Sequence, residues 1–221
     1  MLILHLIKKD ILIAKKYVLI IMLVDITIPL LFMIVDRRSD SSISAFVPFL
    51  YMVVLTQIVL LQNISHIEAK YQKASALLCA SPYTRKTLVM AKYAFFAMLF
   101  IYCLIAHSLV TFIFDTSKLL DLTSIFAVLL ISVALYGVYV PIEFKYGAIK
   151  TRFIFTITVL LISLGPVLIT DLLPNILTLN YKWILTAIPT AILNVLLVVT
   201  SIAIILISIA VSMRIYAKKD L

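Results

Sequence analysis

Six long runs of apolar side chains decide what this chain can become. They cover approximately 18–35, 43–64, 94–114, 122–141, 153–173 and 188–213. Each is near or above the roughly 18–20 residues that cross a hydrocarbon layer at about 1.5 Å per residue. The runs are continuous and do not alternate, so they read as helices and not as barrel strands. Composition agrees: 64% of the side chains are hydrophobic and 13% charged, where a soluble domain carries roughly a quarter charged residues. A mean hydropathy of +1.20 describes more apolar surface than a core of this size hides. The expectation is an all-α integral membrane protein of six transmembrane helices, a single domain over 1–221 with no linker or low-complexity segment.

The first seventeen residues precede the first run. At about 100° per residue His5, Lys8, Lys9, Lys15 and Lys16 share one face, and Leu2, Ile3, Leu6, Ile7, Ile13 and Tyr17 share the other. Leu12 falls among the lysines and Asp10 among the apolar side chains. Such a basic amphipathic stretch fits an elbow helix lying on the membrane surface, over 1–17. The other reading is the start of the first spanning helix. No small-residue cleavage site follows the first run, so no signal peptide is expected.

Lysine and arginine set the orientation. With the N-terminus in the cytosol, fifteen of the nineteen basic residues fall on the inner side, and Arg37, Arg38, Lys118 and Lys182 fall outside. Six spans then return the C-terminus to the cytosol, and the expectation is a multi-pass chain of the plasma membrane with both termini cytoplasmic. The formal charge of +9 is accounted for as a topology signal, with membrane lipid as its partner and no nucleic acid invoked. Ahead of the last run, Asp171–Pro189 holds two prolines, Tyr181 and Trp183. It reads either as short extracellular helices in the outer leaflet or as an ordinary loop.

Chemistry-bearing motifs are scarce. There is no phosphate-cradling Gly-x-x-x-x-Gly-Lys-Ser/Thr and no Gly-x-Ser-x-Gly. His5, His66 and His107 have no metal-ligand spacing. Cys79 lies in a polar segment and Cys103 in an apolar run, an arrangement that does not favour a disulfide. The expectation is a non-enzymatic membrane subunit that binds no metal or cofactor of its own.

Three polar groups sit inside the runs: Asp25, Gln57 and His107. An unpaired carboxylate at mid-span costs about 3 kcal/mol on insertion scales, so Asp25 must face protein or water. Three readings stay open for it: contact with a cationic substrate in a translocation path, a helix–helix hydrogen bond, or a helix set about two turns lower in the membrane. The same choice stands for Gln57 and His107.

The largest polar segment is 66–93, HIEAKYQKASALLCASPYTRKTLVMAKY. Ser81-Pro82 is a helix-start signal, since the serine hydroxyl accepts from free backbone N–H groups and proline suits the first helical position. A helical hairpin is expected, protruding into the cytosol. The residues Glu68, Tyr71, Ser81-Pro82-Tyr83-Thr84-Arg85-Lys86 and Ala91-Lys92-Tyr93 resemble the cytosolic loop of ABC-2-type exporter permeases. Pro141-Ile142-Glu143-Phe144-Lys145-Tyr146-Gly147 is similar to that family's loop between spans four and five. More narrowly, the chain looks like the phenol-soluble-modulin exporter permeases of Gram-positive bacteria.

This resemblance implies a permease subunit that works with separate ABC ATPase subunits and a second permease, the same or homologous. ATP and Mg would then be held by the ATPase. It implies that 66–93 is the coupling element, with Glu68, Tyr71, Ser81, Pro82, Tyr83, Thr84, Arg85 and Lys86 toward the ATPase. Glu143, Lys145 and Tyr146 would form a second contact. The cargo it implies is an amphipathic or hydrophobic peptide. The alternatives are a permease for peptide-antibiotic immunity or lipid-like drugs, and a non-transporting membrane scaffold or regulator.

Overall fold

The computed structural model describes residues 2–38, 45–70, 85–114, 119–147, 150–153, 155–157 and 189–217. Among them every regular element is a helix: α1 (Leu2–Ile13), α2 (Lys15–Arg38), α3 (Phe46–Lys70), α4 (Arg85–Phe114), α5 (Leu122–Tyr146) and α6 (Thr190–Ala217). Five stretches, one in each of α2 to α6, are long and apolar enough to cross a membrane. In lipid the backbone has no water to bond to, so a continuous apolar run has no cheaper state than a helix. Most of the expected span 153–173, all of the expected extracellular segment 171–189 but its last residue, and 71–84 of the expected hairpin lie outside the described residues.

Only Ala14 separates α1 from α2. Its amide donates to the Asp10 carbonyl at 3.0 Å, and its own carbonyl accepts from Tyr17 and Val18. The two residues that broke the amphipathic pattern of α1 now have places. Leu6, Asp10 and Ala14 form its buried face, which packs mainly on α4, while Leu12 is 60% exposed. Asp10 is charge-paired with Lys9 Nζ at 3.2 Å.

α5 and α6 form the most extensive helix pair. Gly137 permits the close approach: a methyl group there would stand 3.3 Å from Ile204 Cγ2 and 3.5 Å from Ser208 Cβ. Near mid-bundle, Phe49, Met52 and Val53 of α3 pack with Phe100 and Cys103 of α4 and Val128 of α5. Toward the ends that carry Lys70, Arg85 and Tyr146, a second cluster joins Tyr93 and Phe96 to Tyr136, Tyr139, Val140 and Phe155. We call these the basic ends. The outer faces are apolar and exposed, as at Leu19 and Leu23 of α2 and Val195 and Ile207 of α6. That is the surface a lipid-facing helix presents.

One boundary differs from the sequence reading in a way that matters. The fourth run was expected to end at Pro141 and to pass into a loop, yet α5 continues to Tyr146. Proline has no N–H, so the Gly137 carbonyl four residues back loses its helical donor. Ser208 Oγ of α6 donates to that carbonyl at 2.7 Å and replaces it. The helix stops where Gly147 takes φ +84, a left-handed conformation that glycine adopts without Cβ strain. The Gly147 amide donates to the Glu143 carbonyl at 2.9 Å.

Candidate functional site

Among the described residues, two buried polar groupings stand out, one at mid-span and one at the basic ends. At mid-span, Asp25 of α2 is fully buried. Its Oδ1 accepts from Thr56 Oγ1 of α3 at 2.5 Å, and its Oδ2 has no partner among the described residues. Gln57 follows Thr56 on α3 and is 4% exposed, with no partner for Nε2 among the described residues. His107 of α4 is fully buried, edge-on to the Phe49 ring at 5.2 Å. Neither of its ring nitrogens finds a partner among the described residues. It lines a cavity of about 10 Å³ together with Pro29, Phe32, Met33, Pro48 and Thr111. A space of that size takes one water. Asp25 therefore has a helix–helix hydrogen bond and keeps one oxygen uncommitted to the described helices. The substrate-contact and hydrogen-bond readings of it both remain served by the geometry.

The second grouping sits where α3, α4 and α5 end. Glu143 is 7% exposed. Its Oε1 accepts from Lys92 Nζ at 2.8 Å and from Ser65 Oγ at 2.5 Å. Tyr139 OH donates to Ser65 Oγ at 3.4 Å, and Tyr136 OH donates to the Lys92 carbonyl at 2.7 Å. The Lys92 ammonium also lies 5.1 Å from the centre of the Phe144 ring, within cation–π range. Two charges leave water here at a cost of several kcal/mol each, and close contact plus added donors offset it. Removing one partner alone would strand the other, at about 3–5 kcal/mol.

Beside it, Tyr93 OH lies 2.6 Å from Ser208 Oγ and 3.1 Å from Ser212 Oγ. Proton counting orders this chain. Ser208 spends its one hydrogen on the Gly137 carbonyl, so Tyr93 donates to Ser208, and Ser212 donates to Tyr93. The three helices α4, α5 and α6 are thereby joined through one line of hydroxyls.

The expected surface contacts divide. Lys86, Lys145 and Tyr146 are exposed, with the Lys145 ammonium 5.1 Å from the Tyr146 ring centre. Glu68 lies in the last turn of α3 and Arg85 opens α4. Tyr71, Ser81, Pro82, Tyr83 and Thr84 lie outside the described residues. Glu143, grouped with the surface contacts on sequence, is instead buried among helices, because α5 does not end at Pro141. The sequence reading missed Ser65, Tyr93, Tyr136 and Tyr139 as network members, and placed Lys92 in a solvated hairpin. For the serines of α6 a signal existed: Ser201, Ser208 and Ser212 are spaced by seven and four, on one face of an otherwise apolar helix. Among the described residues no three His, Cys, Asp or Glu side chains lie together.

A family model described as ABC-2 family transporter protein matches residues 5–217. No curated protein matches the chain and no solved structure does.

Proposed function

Because the chain belongs to the ABC-2 family of transporter proteins, we propose that it is the transmembrane permease subunit of an ATP-driven exporter of amphipathic or hydrophobic peptides. It is a multi-pass membrane protein, and in this reading both termini face the cytosol and separate ABC ATPase subunits bind and hydrolyse MgATP. A second permease copy or homologue completes the pathway. The observation that carries the proposal is the family match over almost the whole chain, joined to five membrane-length helices among the described residues.

Coupling falls to the 66–93 segment. Glu68, Tyr71 and the run Ser81–Lys86 meet the ATPase, and the exposed Lys145 and Tyr146 make a second contact. Asp25, Gln57 and His107 line the path, and Oδ2 of Asp25, which has no partner among the described residues, receives a cationic group of the peptide. Support for the peptide cargo comes from the sequence resemblance and from this buried acid.

The test is recovery of the partner ATPase on the tagged chain in detergent, compared between wild type and a variant carrying both Tyr83→Ala and Arg85→Ala. Buried aromatic and arginine contacts each contribute about 2 kcal/mol at interfaces, and about 1.4 kcal/mol is tenfold in affinity. The double variant is expected to bind at least about tenfold more weakly while inserting normally. Equal binding would remove the segment as the coupling element. Failure of wild type to hold any ATPase would favour a scaffold or regulator.

A further inference from the structure

The last six residues of α5, Pro141–Tyr146, continue its helix and also bond to α3, α4 and α6. Pro141 interrupts the helical ladder, and the carbonyl it leaves is bonded sideways to α6. Gly147 ends the turn with a positive φ. Between these two weak points sits Glu143, bonded to Lys92 of α4 and Ser65 of α3. Phe144 covers the Lys92 ammonium and meets the Tyr216 ring of α6 at 4.9 Å. The same α3 and α4 are the two helices that lead into and out of 71–84.

We propose that the Lys92–Glu143 ion pair, seated on Ser65, is a latch that ties the last turn of α5 to α3 and α4, the helices that flank the expected hairpin. Lys92 and Glu143 are positioning residues: any displacement of the hairpin carries the end of α5 with it, and Pro141 is the hinge that lets it. The device is two-state by its physics. A charge-assisted bond at 2.8 Å is lost within about 1 Å of separation. The side chains are 17% and 7% exposed, so separation would leave a charge in a dry site until water enters. The hairpin and the turn thus stay together or part abruptly. What pushes the hairpin rests on the proposed function, whereas the latch itself is a property of this chain.

The experiment separates the two. Hydrogen–deuterium exchange is measured on the chain for wild type, Lys92→Met and Glu143→Gln, two variants that remove the charge with little change in bulk. Amides of 144–147 are expected to exchange at least about tenfold faster in both, since one local opening has lost its main restraint. Amides of 124–136 should be unchanged, and Lys92→Arg should restore the wild-type pattern. With the partner ATPase reconstituted in proteoliposomes, both charge-removing variants should retain bound ATPase. Permease-dependent ATP hydrolysis should nevertheless fall toward the rate of the ATPase alone. Unchanged exchange at 144–147, or a rise along the whole of α5, overturns the latch. A local rise with wild-type ATP hydrolysis overturns its role in coupling. If wild type recovers no ATPase, the proposed function fails while the exchange data still decide the latch.

Discussion

Ser208 and Pro141 give the sharpest test of the packing logic, because each is explained by the other. Ser208 Oγ donates to the Gly137 carbonyl at 2.7 Å and accepts from Tyr93 OH at 2.6 Å. Ser208→Ala removes both. Tyr93 keeps Ser212 at 3.1 Å, so the larger loss is the carbonyl, left without a donor in a buried helix pair. Stranding a buried acceptor costs about 1–3 kcal/mol in general. Side-chain hydrogen bonds between membrane helices average about 0.6 kcal/mol and reach about 1.7. We expect Ser208→Ala to cost about 1.5 kcal/mol, near the upper end, because two bonds go at once. In a Pro141→Ala background the new amide can donate to the Gly137 carbonyl, and only the Tyr93 bond remains to be lost. The cost of Ser208→Ala should then fall to about 0.7 kcal/mol, close to the average single bond. The cycle is measured by reversible unfolding in mixed micelles, followed by far-ultraviolet circular dichroism. Independent sites add within about 0.3–0.5 kcal/mol. Additivity inside that margin would refute the claim that the serine replaces the proline's missing donor.

At mid-span, Asp25→Asn keeps an oxygen to accept from Thr56 and should alter unfolding free energy by under about 0.5 kcal/mol, whereas Asp25→Leu strands the Thr56 hydroxyl and should cost about 1–3; if Asp25 lines the path, Asn also lowers export of a cationic amphipathic peptide, and wild-type export would take it off the path. Gly137→Ala places a methyl group 3.3 Å from Ile204 Cγ2 and should cost about 1 kcal/mol by overpacking, with Gly137→Leu costing more and loosening α5 from α6 in the same unfolding assay. Orientation is read by single cysteines in a chain from which Cys79 and Cys103 have been replaced. Positions 40 and 118 should react with an impermeant thiol reagent in intact cells, and 73, 150 and 219 should not. Labelling at 73 would invert the topology.

The patterns legible in the order of amino acids were those that act one run at a time. A bilayer tests each apolar stretch alone, for length and continuity, so the runs that became α2 to α6 could be found by counting. Asp25 could be flagged in the same way, because depth in a run is a local property. Asp10 and Leu12 also stood out as errors in a 100° pattern, and both proved to mark which face of α1 is buried.

Partners were another matter. Thr56 is 31 residues from Asp25, and Ser65 and Lys92 are 78 and 51 residues from Glu143. Nothing in a sequence of this kind says which of many serines will meet which acid. Pro141 shows the limit best. The apolar run ends there, and the resemblance read 141–147 as a loop between spans, which put Glu143 among the surface contacts. The helix continues because Ser208, 71 residues from Gly137, donates to the orphaned carbonyl across a contact that Gly137 makes close enough. By itself the sequence determined that the chain crosses a membrane and that Asp25 needs an explanation, since the bilayer and the helix period act locally. Which helices pair, where α5 stops and whether Glu143 is a surface contact or a buried anchor were decided by tertiary structure, because hydrogen bonds in a dry interior depend on what arrives from elsewhere in the chain.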